Sequence, residues 1–323
     1  MPDVRQLRGD CVESIHPFSV FAFDADGRSI VAVGDDRETA FRSACKPHQL
    51  AVSLSLLGDD IHGLTPRHLA VGSASHSGEP AHLALVREIL ARYECSADEL
   101  RCGAHPPVHT PSAEAVLRAG ESFTDLHNNC SGKHSFMLAA SARNGFERDY
   151  RAPTHPLQQR IARQMSEWMA FVPRVVVDGC GVPSFVQPVS RAALAWQKLA
   201  LAMGEGSASA DPWTSRLHRI GWAMAEHPEL TSGTGRLDLA IARNAREPIA
   251  VKIGAMGLFC IALPERRAGI AVKVHSGSTD ALAAAVEWAL AKVAPGVFVR
   301  PDPWEHTIVR NVVGAEVGRW TVG

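Results

Sequence analysis

Ser43 and Lys46 stand three residues apart in Phe41-Arg-Ser-Ala-Cys-Lys-Pro47. On a helix, residues at that spacing share a face, so the lysine amine can reach the serine hydroxyl. A desolvated, neutral lysine can then take the serine proton while Oγ attacks a carbonyl carbon. Taken alone the pair is a weak signal. Serine is common, and Pro47 turns the residue before it away from helical dihedrals. A capping serine beside a solvated lysine is the competing expectation. Lys252 offers a second amine, in Ile249-Ala-Val-Lys-Ile-Gly-Ala-Met-Gly257. Burial in that apolar strand would lower its pKa and make it a usable base. An edge position is the alternative, and Lys273 sits in a similar strand.

Three polar turns could carry more chemistry. Gly72-Ser-Ala-Ser-His-Ser-Gly-Glu-Pro80 precedes a helix with His82 on its first turn. A carboxylate or oxyanion would be favoured at that helix start, although Ser77 could simply cap it. Leu126-His-Asn-Asn-Cys-Ser-Gly-Lys-His134 is not a phosphate loop, since His127 replaces the glycine and His134 replaces the Ser or Thr after the lysine. It leaves a thiol, an amine and two amides entering an apolar helix. Val175-Val-Val-Asp-Gly-Cys-Gly-Val-Pro183 lacks the third glycine of a dinucleotide site, and Pro183 blocks helix entry. Cys130 and Cys180 could meet as thiolate metal ligands near Asp178 or His134, or be two structural cysteines. His105 and His109 are separated by Pro106 and Pro107, which excludes a helix between them and makes the segment a loop.

Lysine is scarce. Only six of the 33 basic residues are Lys, and three of these (Lys46, Lys133 and Lys252) lie in the segments above. Arginine stays protonated in proteins, whereas buried lysine can lose its proton. The 323 residues are 46% hydrophobic and 21% charged, with a formal net charge of -1. That balance argues against nucleic-acid or membrane-surface binding through bulk charge. No apolar run approaches the roughly 20 residues of a membrane span. The charged N-terminus lacks an apolar signal core, and the seven irregularly spaced cysteines do not form a disulfide framework. A cytoplasmic location with reduced thiols is expected.

These segments must be positioned by elements legible in the periodicity. Strands are expected at 18–23 and 29–34 around the Asp24–Gly27 turn, and again at 249–253, 257–263, 268–275, 306–311 and 316–322. Helices are expected at 46–57, 80–93, 112–120, 133–143, 155–171, 190–203, 213–227 and 279–293. A buried strand at 174–177 interrupts them, and Gly204–Pro212 is a surface loop. The fold class is therefore α/β in a single domain spanning 1–323. A mixed, largely antiparallel sheet comes from both termini (about 1–45 and 245–323), flanked by helices, with a helical subdomain inserted over about 46–244.

In order along the chain, the segments resemble the rhizobial-type, or asparaginase II family, L-asparaginases. The signatures are Val12-Glu-Ser-Ile-His16, Phe41-Arg-Ser-Ala-Cys-Lys-Pro47, Ala74-Ser-His-Ser-Gly-Glu79 with His82, and Arg101-Cys-Gly-Ala-His-Pro106. They continue through Asn128-Asn-Cys-Ser-Gly-Lys-His134, His155-Pro156, Asp178-Gly-Cys-Gly-Val-Pro183, and His227-Pro-Glu229 with Gly233-Thr-Gly-Arg236. Lys252-Ile-Gly-Ala255 and Gly269-Ile-Ala-Val-Lys273 close the set. The resemblance implies the Ser-Lys hydrolase fold of serine β-lactamases and glutaminases. It implies two Ser-Lys tandems, Ser43 with Lys46 and Ser75 with Lys252, and substrate contacts from Arg42, His134 and Asp178. It further implies zinc held by Cys130, Lys133 and Cys180, more to position substrate than to generate hydroxide, and a homodimer. Departures fall at Pro17-Phe18, Phe136, Met256 and Ser276, near the turns of the expected site.

The function so implied is hydrolysis of the small molecule L-asparagine to L-aspartate and ammonia, with no nucleic-acid or membrane partner. Ser43 is the expected nucleophile and Lys46 its base. A Ser-Lys amidase for glutamine or a β-lactam is the first alternative. A non-catalytic protein that binds metal or amino acid is the second.

Overall fold

The computed structural model describes residues 1–58, 63–206 and 209–323. Strands β1 (Asp3–Arg8), β2 (Cys11–Phe23), β3 (Ser29–Val33) and β4 (Glu38–Ala40) open the chain. The helices α1 (Lys46–Leu57), α2 (Pro66–Gly72), α3 (Pro80–Arg92), α4 (Thr110–Arg118), α5 (Ser131–Arg143) and α6 (Pro156–Met169) follow. Then come β5 (Arg174–Val177), β6 (Pro183–Pro188), α7 (Val189–Glu205), α8 (Pro212–Glu226), α9 (Pro228–Thr231) and α10 (Leu237–Arg243). The chain ends with β7 (Ala250–Gly254), β8 (Leu258–Leu263), β9 (Ala268–Val274), α11 (Leu282–Val293), β10 (Ile308–Arg310) and β11 (Glu316–Val322). Among the described residues, no helix is long and apolar enough to cross a membrane.

The main sheet runs β10-β11-β1-β2-β9-β8-β7, with β3 also paired to β2. Every pairing in it is antiparallel. The fold is thus mixed α/β, its largely antiparallel sheet drawn from both chain ends and flanked by helices. At the Asp24–Gly27 turn, Asp24 Oδ1 accepts from the N–H groups of Asp26 and Arg28, and Gly27 takes the positive φ that the turn requires.

Alternation along the strands divides the core in two. On β8, Leu258, Cys260 and Ala262 face the helical middle, while Phe259, Ile261 and Leu263 pack with α11 on the other face. The side toward α7 is built from small residues, and α7 is seated very close to β9. A Cβ on Gly269 would lie 2.0 Å from Gln197 N and 2.6 Å from Ala193 O. From α7, Gln197 Nε2 donates to the Asp24 and Ala25 carbonyls, and Trp196 Nε1 donates to Ala44 O at 3.0 Å. The helix therefore braces both the first hairpin and the turn that carries Ser43.

Helix α1 is buried almost all round, as is the first three-quarters of α5. Helices of that kind belong to a core rather than a surface. Pro47 does not prevent α1 from starting at Lys46, whose φ of -57° and ψ of -42° are helical. A 3-10 turn over Arg42–Cys45 leads into it, and Lys46 N–H bonds back to Ser43 O.

Two expectations change. The 174–177 strand is not buried, since Val177 is 68% exposed and Val175 40%. It forms the edge of a separate three-stranded sheet, β4-β6-β5, and pairs only with β6. The missed β6 is the buried centre of that sheet, disguised by Pro183 and Pro188 at its ends. Within the expected loop at 204–212, Ser207 and Ala208 lie outside the described residues; Asp211 caps α8 by accepting from the N–H groups of Trp213 and Thr214.

The seating of α7 gives a direct test. Gly269→Ala should lower the unfolding free energy by about 3 kcal/mol, because neither the Gln197 backbone nor the Ala193 carbonyl can yield cheaply. Urea denaturation measures it, and an unchanged midpoint would contradict the close approach.

Candidate active site

The N-terminal ends of α1 and α5 and the middle of β7 bring three lysines into one region. Alternation places Lys252 on the same face of β7 as Ala250, toward the helices. Lys46 heads α1, and Lys133 lies in the first turn of α5, after Cys130 as N-cap. All three are 2% exposed or less.

Lys46 Nζ donates to Ala74 O at 2.6 Å, to Ser75 Oγ at 2.9 Å and to Asn129 O at 3.4 Å. Its serine partner is therefore Ser75, and Ser43 is joined to it through the backbone bond. Ser43 is half-buried, whereas Ser75 is 4% exposed. Arg42, immediately before Ser43, adopts a left-handed φ of 48°, a strained state for a side chain with a Cβ. Arg42 Nε donates to Asp178 Oδ1 at 2.6 Å, and Arg42 N–H donates to Ser184 Oγ. The two expected substrate contacts Arg42 and Asp178 thus form an ion pair beside Ser43.

The segment Ser73–Gly78 is buried and stitched to its surroundings. Ser75 N–H bonds to Thr231 O, and His76 N–H bonds to Asn129 O. His76 Nδ1 accepts from Gly78 N–H, so Nε2 carries the proton and donates to Ser131 Oγ at 2.8 Å. Burial pushes His76 well below its ordinary pKa, helped by neighbouring His82 and Lys46. Glu79, not Ser77, is the N-cap of α3; its N–H donates to His82 Nδ1, and its carboxylate accepts from Thr234 N–H and Oγ1. Ser77 Oγ is buried with no hydrogen-bond partner.

Lys252 Nζ donates to Ile253 O at 3.1 Å and stands 3.8 Å from Asp238 Oδ2. Burial draws its pKa down to about 7; Asp238 opposes the shift, while Lys46 and Arg236 add to it. The amine thus gains and loses its proton far more readily near neutral pH than an exposed lysine does.

Cys130, Lys133, His134 and Cys180 form the other half of the region. Lys133 Nζ lies 3.2 Å from Cys180 Sγ, and Cys130 Sγ lies 3.0 Å from Asn129 Oδ1. Cys180 is driven far down in pKa by a hydrogen bond from the Cys130 thiol, against burial, with further help from Lys133 and His134. Burial works against the Lys133 ammonium, but the charge on the Cys180 sulfur beside it outweighs burial and raises its pKa. His134 Nδ1 pairs with Tyr150 Oη at 2.9 Å, and its ring interacts with Cys180. Among the described residues, no three His, Cys, Asp or Glu side chains gather in metal-holding geometry. Two buried thiols, one of them strongly acidic, with a lysine amine against it nonetheless suit a zinc ion as a donor set.

Of the departures, Pro17, Met256 and Ser276 lie together. His275 N–H bonds to Pro17 O, Ser276 Oγ meets His16 Nδ1 at 2.7 Å, and Lys273 Nζ donates to Met256 O. Met256 itself takes a φ of 61°. Phe136 is wholly buried against Gly72. Asp238 and Ser232 are functional candidates that motif reading missed. The signal available was a lone carboxylate in the apolar Leu237-Asp-Leu-Ala-Ile241 run, just after Gly233-Thr-Gly-Arg236.

None of the curated proteins matches this sequence. Among solved structures, the chain is similar to Mglu in its native form, at 16% identity and a TM-score of 0.46, over 85% of this chain and 63% of that one. It is likewise similar to a β-lactamase from Mycobacterium bovis, at 12% identity and a TM-score of 0.46, over 85% and 94% of the two chains. The Mglu structure obtained in 4.3 M NaCl is covered over 59% of its length, so this chain spans about three-fifths of that protein. Likenesses this distant say nothing of chemistry. The sequence pattern of the L-asparaginase II family, in contrast, matches residues 4–322, essentially the whole chain. This chain belongs to the L-asparaginase II family, a family of amidohydrolases.

Proposed function

We propose that this amidohydrolase converts L-asparagine to L-aspartate and ammonia through an acyl-enzyme on Ser43. The observation that carries the proposal is the 2.9 Å bond from Lys46 Nζ to Ser75 Oγ, which links members of both expected Ser-Lys tandems in one buried array. Ser43 Oγ bonds to the side-chain amide carbon and its proton passes to Lys46. The C–N bond then breaks, and the nitrogen leaves as ammonia with that proton, relayed by Ser75. Water adds to the acyl carbon, Ser43 regains its proton and aspartate departs. Arg42 is suited to the substrate carboxylate and Asp178 to its ammonium, each giving up part of their mutual ion pair. Lys252 supplies the second proton-accepting amine.

Zinc is part of the proposal, held by Cys130, Lys133 and Cys180, with His134 beside Cys180. When bound it would supply a fixed positive charge that orients the substrate. Lys133 must lose its proton to ligate, so zinc binding should release protons and tighten as pH rises. Elemental analysis should find zinc in the purified protein and lose it in Cys180→Ser. Zinc unchanged in that variant would remove this part.

A second reading has its own support. Because Lys46 contacts Ser75 directly, Ser75 is the serine whose proton Lys46, once neutral, can take along the 2.9 Å contact already made. An electrophilic asparagine analogue, followed by peptide mass mapping, separates the two. We expect the adduct on Ser43 and a loss in kcat of about a thousandfold or more in Ser43→Ala. An adduct on Ser75 that persists in Ser43→Ala would exchange the roles. Ammonia release should be fastest with asparagine; a preference for glutamine or a β-lactam would change the substrate but keep the chemistry.

The pH dependence follows from Lys252. Below about 7 the amine carries its proton and cannot accept another; above it the amine is free. The kcat/KM profile should therefore rise with pH through an acid limb near 7. Lys252→Arg, which stays protonated, should abolish turnover while the protein remains folded by circular dichroism.

A further inference from the structure

Asp238 is 1% exposed, and nothing in the motifs marks it. Its Oδ1 accepts from Ser232 Oγ, itself buried. Its Oδ2 is buried with no hydrogen-bond partner and lies 3.8 Å from Lys252 Nζ. That separation is too long for a hydrogen bond and close enough for strong attraction between charges in a dry site. A buried carboxylate oxygen left without a donor is costly unless something makes use of it. Lys252 meanwhile donates to a single carbonyl, that of Ile253. The free oxygen and the under-used amine face each other across a gap that a small side-chain movement closes.

We propose that Asp238 is a positioning residue: it supplies the fixed counter-charge against which Lys252 gains and loses its proton during turnover, its free Oδ2 standing as the acceptor for the ammonium when it forms. The proposal rests on the catalytic part given to Lys252 above. Ser232 holds the carboxylate by its other oxygen and so keeps Oδ2 turned toward the amine. Arg236, whose Nε is 3.9 Å from Asp238 Oδ1, is a rival cation for the same carboxylate.

The other groups around Lys252 do not take this role. From α1, Lys46 repels it; Cys130 at the head of α5 and His76 before α3 act on it only at a distance. Across the strand pair stands Cys260, whose thiol burial keeps neutral. His306 also senses Asp238, which favours its charged form, but burial outweighs this and lowers its pKa. Asp238 is the only carboxylate of the described residues that forms an ion pair with Lys252.

The test uses the scarcity of lysine. With 13C-labelled lysine in the full chain, six Cε signals are expected, and Lys252→Met assigns the one of interest. Asp238→Asn should move the Lys252 titration midpoint down by about one pH unit or more, a tenfold change in proton affinity. An unchanged midpoint would overturn the proposal. Should Asp238→Asn fail to fold, Ser232→Ala releases the hold that keeps Oδ2 turned toward the amine and should move the midpoint down, by less than Asp238→Asn would; no downward movement there would overturn it equally. The acid limb of kcat/KM should shift with the midpoint in the same variant. If the midpoint moves and the limb does not, Asp238 keeps its role and it is the catalytic part of Lys252 that falls.

Discussion

Three amines buried in one region repel one another and resist leaving water, and most of what surrounds them answers that difficulty. Each is answered differently. Lys46 is surrounded by two backbone carbonyls and a hydroxyl. Lys133 is set against an acidic thiol. Lys252 has one carbonyl and a carboxylate just out of bonding range, and burial draws it down toward neutral pH. The lowering at Lys252 matters because a lysine that keeps its ordinary proton affinity is charged at neutral pH and cannot accept a proton. An array of three identically solvated lysines could not do this chemistry.

The scaffold serves those placements. Helix α1 is enclosed by apolar neighbours, and His48 Nε2 within it donates to Ala195 O of α7 while burial lowers its pKa to about 4, which leaves it neutral. Trp196 of the same helix holds the Ala44 carbonyl. The short side chains on the α7 side of β9 let that helix sit close enough to do both, so a glycine in the sheet contributes to the geometry of a turn well away from it.

Much of this was legible in the residues. Helices α1, α3 and α8 carry proline in their first turn, and their starts lie within a residue of expectation. Strands β8 and β9 are apolar and bounded by turns, and they too stand where expected. What could not be read was anything that depends on approach across the fold. Strand β1 is mostly polar, with only Val4 buried, so local pattern does not declare it. The contact between Lys46 and Ser75 joins residues 29 apart, and no spacing rule reaches that far. Asp238 acquires its meaning only from the strand that brings Lys252 beside it.

The turn before α1 has a consequence of its own. Pro47 has no N–H, so it cannot bond to the Ser43 carbonyl as an α-helix would require; Lys46 takes that carbonyl instead, one residue earlier. The segment is thereby fixed as 3-10, in which side chains three apart lie in line along the axis rather than some sixty degrees out of phase. Proline, which on paper argued against a shared face for Ser43 and Lys46, leaves the Ser43 carbonyl to the Lys46 N–H and so fixes the turn that ties the two residues together through the backbone.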